Sequence, residues 1–211
     1  MPRKISIVVP MTGENFLYQL AYLARGSGPV NSSEDPYSVT SSCSSSEIGL
    51  PIHKHVQNVT FLPSRNGPTD NQDIKKAIMN YGEVSTMINF DPYNITIYNQ
   101  NTYGYYYNGT TSSNHAVTIV GWNNSFSRKN FSTTPPGDGA FIIKNSWGTP
   151  TPDWGDVNNN NGYFYVSYYD SDIGYDENVL FTAENPNDYK NIYQYDPLGW
   201  ISSYGYGNPT G

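Results

Sequence analysis

The chain has 211 residues and a net charge of -7, with 36% hydrophobic, 15% aromatic and only 14% charged residues. An acidic balance excludes nucleic acid and anionic lipid as expected partners, since both ask for a basic surface, and no apolar run approaches the roughly 18 residues that read as a membrane span. Twenty tyrosines argue against disorder and for much β structure, because rings bury large areas and suit strands.

In chain order, the first ten residues, Met1 to Pro10, have a basic end and a short apolar run. Pro10 cuts that run below signal-peptide length, so the stretch reads as non-secretory, an internal or artificial start. A helix is predicted over residues 13–25, with Phe16, Leu20 and Leu23 on one face and Gly26 in the place of a C-terminal cap. Residues 27–68 are rich in loop signals such as Gly28-Pro29 and Asp35-Pro36, with one strand expected from His55 to Leu62. The clearest element is a second helix, capped by Thr69 or Asp70, carrying Ile74, Ala77, Ile78 and Tyr81 at helical spacing and ended by Gly82. Beyond it the pattern turns to strands: Val84–Phe90, Ala116–Trp122, Ala140–Asn145 and Tyr163–Tyr169. From Asn185 the chain becomes aromatic and turn-rich and reads as the opening of a following domain.

The single cysteine, Cys43, rules out an internal disulfide and any Cys-based metal site. Asn-x-Ser/Thr sequons at Asn31, Asn58, Asn94, Asn108, Asn123 and Asn130 are either a by-product of an Asn-, Ser- and Thr-rich composition or the mark of an exported glycoprotein. His53 and His55 alternate across Lys54, but with no third ligand in view they read as solvent-facing strand residues. The run Asp153 to Gly162 looks like a calcium loop; counted from Asp156, the glycine that the EF-hand pattern requires comes one residue late, so an Asn-rich turn is the better reading. No metal and no other cofactor is expected.

Two segments carry chemistry. Asn114-His115-Ala116-Val117 opens an apolar strand, and Lys144-Asn145-Ser146-Trp147 closes one. A thiol attacks as thiolate, and a neighbouring imidazole can take its proton and hold the ion pair. The imidazole must then be held in one tautomer and one rotation, which an Asn side-chain oxygen accepting from a ring N–H achieves. A tryptophan over that hydrogen bond, here Trp147, would keep water away, and strand ends hold such groups rigidly.

These segments resemble the His and Asn motifs of the papain family of cysteine peptidases. Ala21-Tyr22-Leu23-Ala24 with Gly28-Pro29-Val30 resembles the left lobe after its catalytic helix, Asp73 to Val84 the helix leading into the right lobe, and Gly162 to Val166 the strand after the Asn motif. Together this covers about residues 13–182. The tail resembles, more briefly, the start of the lectin-like domain that follows the peptidase in some archaeal surface proteases. The resemblance implies an α+β, two-lobe fold: residues 1–82 as the remainder of the helical left lobe with its linking loops and a helix, 83–184 as a right-lobe antiparallel β-barrel, and 185–211 as a truncated tail. It implies His115 as base, Asn145 as its orienter and Trp147 as their support, a polypeptide substrate in the inter-lobe cleft, and an extracellular or cell-surface setting.

The nucleophile departs from the pattern. The family's Cys-Trp motif belongs about 130–150 residues before the His and Asn, whereas His115 is only 114 residues from Met1. No Cys-Trp pair occurs, and Cys43 lies in a serine-rich loop with no predicted helix N-terminus to lower its pKa, so it reads as an inert cysteine. The expectation is a fragment of a cysteine endopeptidase, inactive alone, whose missing segment precedes Met1. Two alternatives stand beside it: an inactive relative acting as a surface structural or peptide-binding protein, and a two-chain enzyme. Without the catalytic helix, Phe16, Leu20 and Leu23 would form a bare apolar patch, so pairing with the missing segment or with another copy of the chain is expected.

Overall fold

A computed structural model describes residue 23, residues 31, 33 and 34, residues 51–146, residues 162–188 and residue 191. The predicted first helix therefore lies outside the described residues except for Leu23, as do Cys43, Trp147, the Asn-rich run from Asp153 to Asn161 and the aromatic tail. Leu23 is 1% exposed, which corrects the expectation of a bare patch at that residue; Phe16 and Leu20 lie outside the described residues.

The chain divides into two compact units. One contains the described residues up to Val59 and from Phe181 onward; the other is Thr60–Leu180. Eight strands form one sheet: β1 (His55–Leu62), β2 (Val84–Ile88), β3 (Tyr98–Asn99), β4 (Gly104–Tyr105), β5 (His115–Asn123), β6 (Ala140–Lys144), β7 (Tyr163–Ser167) and β8 (Asn178–Glu184). Their order is β1-β8-β2-β5-β6-β7-β4-β3. The α+β expectation holds, with one α-helix, α1 (Gln72–Tyr81), among the described residues. The sheet is mixed rather than purely antiparallel, because β4 runs parallel to β7, and closure into a barrel is not among the pairings of the described residues.

The central strands bury alternate residues, as one covered face dictates. Val84, Thr86 and Ile88 of β2 face inward, and the β5 residues opposite them, Ile119, Val117 and His115, are buried too. Helix α1 packs on β5 and β2 through Ile74, Ala77 and Ile78. Tyr81 has the right spacing for the same face, yet as the last helical residue it is 56% exposed. Gly82 then takes φ +95 and returns its N–H to Ile78 O at 2.8 Å, the left-handed stop expected of it.

The predicted cap moves by a residue or two. Asn71 occupies the N-cap position without a side-chain cap hydrogen bond, and its Nδ2 donates to Pro68 O instead. The Asp70 carboxylate is spent outside the helix, accepting from Asn66 N at 2.9 Å.

Asp170 is a buried carboxylate, 1% exposed, that ties two loops together. It accepts from Tyr107 N at 2.9 Å, Asp172 N at 3.0 Å and Ile173 N at 3.1 Å. Burial pushes its pKa up to about 7, although those three N–H groups pull it down. A carboxyl whose pKa is higher folded than unfolded stabilises the fold fully below its unfolded value of about 4 and loses that contribution as pH rises through about 7. Urea unfolding should therefore show stability falling by about 2–4 kcal/mol between pH 4 and pH 8 from this group. Asp170→Asn should flatten that slope while costing about 1–3 kcal/mol, because its NH₂ would face the Tyr107 N–H. An unchanged slope would remove Asp170 as its source.

Candidate active site

The strand register brings the two predicted residues together. Ile119 pairs with Ile143 and Thr118 with Lys144, so continuing the register one step puts Asn145 opposite Val117. His115, two residues before Val117, is then a diagonal neighbour of Asn145 on the same buried face, within side-chain reach. The contact is made: His115 Nε2 lies 2.9 Å from Asn145 Oδ1, with the two residues 8% and 4% exposed.

The proton can be assigned from the partners. Ser146 N–H, which can only donate, points at the same Asn145 oxygen at 2.9 Å. That identifies the atom as the amide oxygen and requires His115 Nε2 to donate as well. A neutral ring protonated at Nε2 carries its basic lone pair on Nδ1. The backbone N–H of Asn145 donates to Gly162 O at 2.8 Å, anchoring the residue just after β6 ends.

One wall of the imidazole pocket is a residue whose role the sequence did not announce. The Phe90 ring stacks on the His115 ring at 5.0 Å between centroids and 18° between planes. Phe90 was expected inside a strand, but β2 stops at Ile88. Beyond that point side chains replace the ladder, and Asn114, next to His115, holds the Phe90 backbone through Oδ1 at 2.7 Å and Nδ2 at 3.4 Å. Trp147, expected to cover the hydrogen bond, lies outside the described residues.

The remaining candidates do not join this site. His53 precedes β1 instead of lying in a strand, and its Nε2 is 2.7 Å from Glu34 Oε2, an exposed pair. His55 opens β1. No group of three or more His, Cys, Asp or Glu side chains able to hold a metal occurs among the described residues.

The arrangement is an oriented imidazole: a buried ring whose Nε2 donates to Asn145 Oδ1. Comparison with known proteins matches that chemistry. The model of the papain family of cysteine proteases matches residues 12–183. Among solved structures, the clostridial cysteine protease Cwp84 after propeptide cleavage is similar at TM-score 0.71 and 28% identity, over 87% of this chain and 44% of that one. A structure of the cysteine protease and lectin-like domains of Cwp84, a surface-layer-associated protein of Clostridium difficile, is similar at TM-score 0.69 and 27% identity, over 87% of this chain and 39% of that one. The chain thus spans less than half the length of these two relatives. No curated protein matches it. A match that runs from residue 12 to residue 183, and takes in both the strand that His115 opens and the strand that Asn145 follows, makes this chain a member of the papain family of cysteine proteases, with that family's α+β fold.

Proposed function

We propose that the chain supplies the base and its orienter to a cysteine endopeptidase, His115 acting as base and Asn145 fixing its ring. The observation that carries this reading is the 2.9 Å contact between His115 Nε2 and an Asn145 oxygen that Ser146 N–H identifies as acceptor. In the reaction, His115 Nδ1 takes the thiol proton and the thiolate attacks the scissile carbonyl carbon. The imidazolium then gives its proton to the leaving amine, and the ring deprotonates the water that hydrolyses the thioester. The substrate is a polypeptide, and the setting is extracellular or at the cell surface. A surface-layer-associated relative supports that setting. No helix among the described residues is long and apolar enough to cross a membrane.

The thiol comes from outside these 211 residues, since Cys43 sits in a serine run without the family's Cys-Trp pair. The chain alone should hydrolyse no peptide substrate. Adding a polypeptide that carries the family's cysteine-bearing helix should restore hydrolysis sensitive to thiol alkylation, and Cys43→Ser should leave that activity unchanged. Cleavage by the chain alone that Cys43→Ser abolishes would overturn the assignment. The second reading, a peptide-binding relative without catalysis, is favoured by the same lack of a Cys-Trp pair. It predicts peptide binding by the chain and no activity after complementation.

A further inference from the structure

The backbone just beyond β2 is held by side chains. The Asn89 N–H donates to Asp172 Oδ2 at 2.8 Å, and Asn89 O accepts from the Tyr105 hydroxyl at 2.7 Å. The Phe90 N–H and C=O both bond the Asn114 amide, and the Asp91 N–H donates back to the Tyr105 hydroxyl at 3.0 Å. Three side chains from three separate segments thus satisfy the backbone from Asn89 to the Asp91 N–H. Tyr105 is fully buried, and burial holds its phenol pKa well above the usual value, so the hydroxyl keeps the proton it donates. These side chains remove the penalty of leaving buried backbone groups unpaired, at the entropy cost of ordering three side chains.

The clamp also couples two residues of the site. Asn114 N–H donates to Ile88 O at 2.9 Å, and the next residue is His115. Asn114, just before β5, therefore fixes the Phe90 backbone and the start of the His115 strand together. The Phe90 ring is backed by Tyr105 and Phe164, each 5.2 Å away between centroids. A turn of the imidazole that takes Nε2 off Asn145 tilts its plane, and a near-parallel ring 5.0 Å away opposes the tilt.

We propose that Phe90 is a positioning residue of this site, holding the His115 ring in line with Asn145, and that Asn114 acts on His115 through Phe90. This deepens the reading of His115 as base, and its test needs no peptidase activity. In ¹⁵N-labelled full chain, the His115 ring should appear as the Nε2–H tautomer, with the Nε2 proton protected from solvent exchange. Phe90→Leu keeps apolar volume and removes the aromatic face; it should speed that exchange about three- to tenfold, the factor a ring pair is worth, and mix the tautomers. Asn114→Ala keeps the ring and removes the clamp, and should reproduce the effect, with the double variant adding little. Amide exchange at Val117, Ile119 and Ile143 should not change in any variant. The inference is overturned if the Nε2 proton and tautomer stay as in the parent protein, or if the strand amides accelerate by the same factor. Should Phe90→Leu not fold, Asn114→Ala decides the matter alone. A failed peptidase assay leaves this result intact, and an unmoved ring leaves His115 as base intact.

Discussion

In the catalytically competent protease, His115→Ala should lower kcat/KM for peptide hydrolysis by about 10²- to 10⁴-fold, the range that a positioned general base contributes. The loss should fall on kcat, because the proposed base would work on the reacting thiol and the leaving amine and not on substrate binding. Asn145→Ala should cost less, about 10- to 100-fold, by analogy with metal-bound histidines that lose the partner of their other ring nitrogen. The ring then keeps a basic nitrogen but loses the acceptor at 2.9 Å that fixes its rotation. The double variant should be no worse than His115→Ala, since Asn145 acts only through the ring. Steady-state kinetics on the three variants checks this ordering. Full activity in His115→Ala, or multiplying losses in the double variant, would remove the pair from the mechanism.

The pair was legible because its chemistry needs particular residue types at strand edges, and both sit beside short apolar runs, Ala116 to Val120 and Ala140 to Ile143. The helix from Gln72 was legible from the helical spacing of Ile74, Ala77 and Ile78, and strands β1, β5 and β6 from their β-favouring residues bounded by loop signals. Strands β3 and β4 have two residues each, too few for any period to show, and Tyr103 between them takes φ +58, which its side chain does not advertise. Strand β8 escaped because Asn178, Val179 and Leu180 are all buried in succession, which erases the alternation. Phe90 was visible as an apolar residue, but its partner was not. The stack on His115 is set by hydrogen bonds from residues 105, 114 and 172, and separations of that size leave no local pattern. Asn114 was in plain view beside His115, and only the direction of its amide gives it a role.

Arg65 was the largest omission, and Arg65→Ala should be as destabilising as truncating a buried core aromatic of the Thr60–Leu180 unit. In the sequence it sits in Pro63-Ser64-Arg65-Asn66-Gly67-Pro68, within the loop-rich stretch 27–68. In the structure it is 5% exposed and donates to four carbonyls: Ile173 at 2.8 Å, Tyr168 at 2.8 Å, Pro68 at 3.0 Å and Asp70 at 3.3 Å. Its guanidinium also lies 5.3 Å from the Phe141 ring and 5.1 Å from the Tyr175 ring. Burial lowers its pKa, while Tyr175, Asp170, Asp70 and Tyr168 work against that, and a guanidinium stays charged under such a load. Gly174 is shaped around it: φ is +75, and a Cβ there would meet Arg65 Cδ at 2.5 Å. Alanine at 65 would strip the Tyr168 and Ile173 carbonyls of a buried charged donor. The cost should be about 3–5 kcal/mol, lowering Tm by about 10 °C in a chain of this size. Arg65→Lys should recover only part of this, because one ammonium cannot reach carbonyls on both sides of a planar fork. Denaturant midpoints with an unchanged m-value are the readout. A loss below about 1 kcal/mol, as for a surface residue, would show that the loops at 65–71 and 168–176 hold their places without the arginine between them.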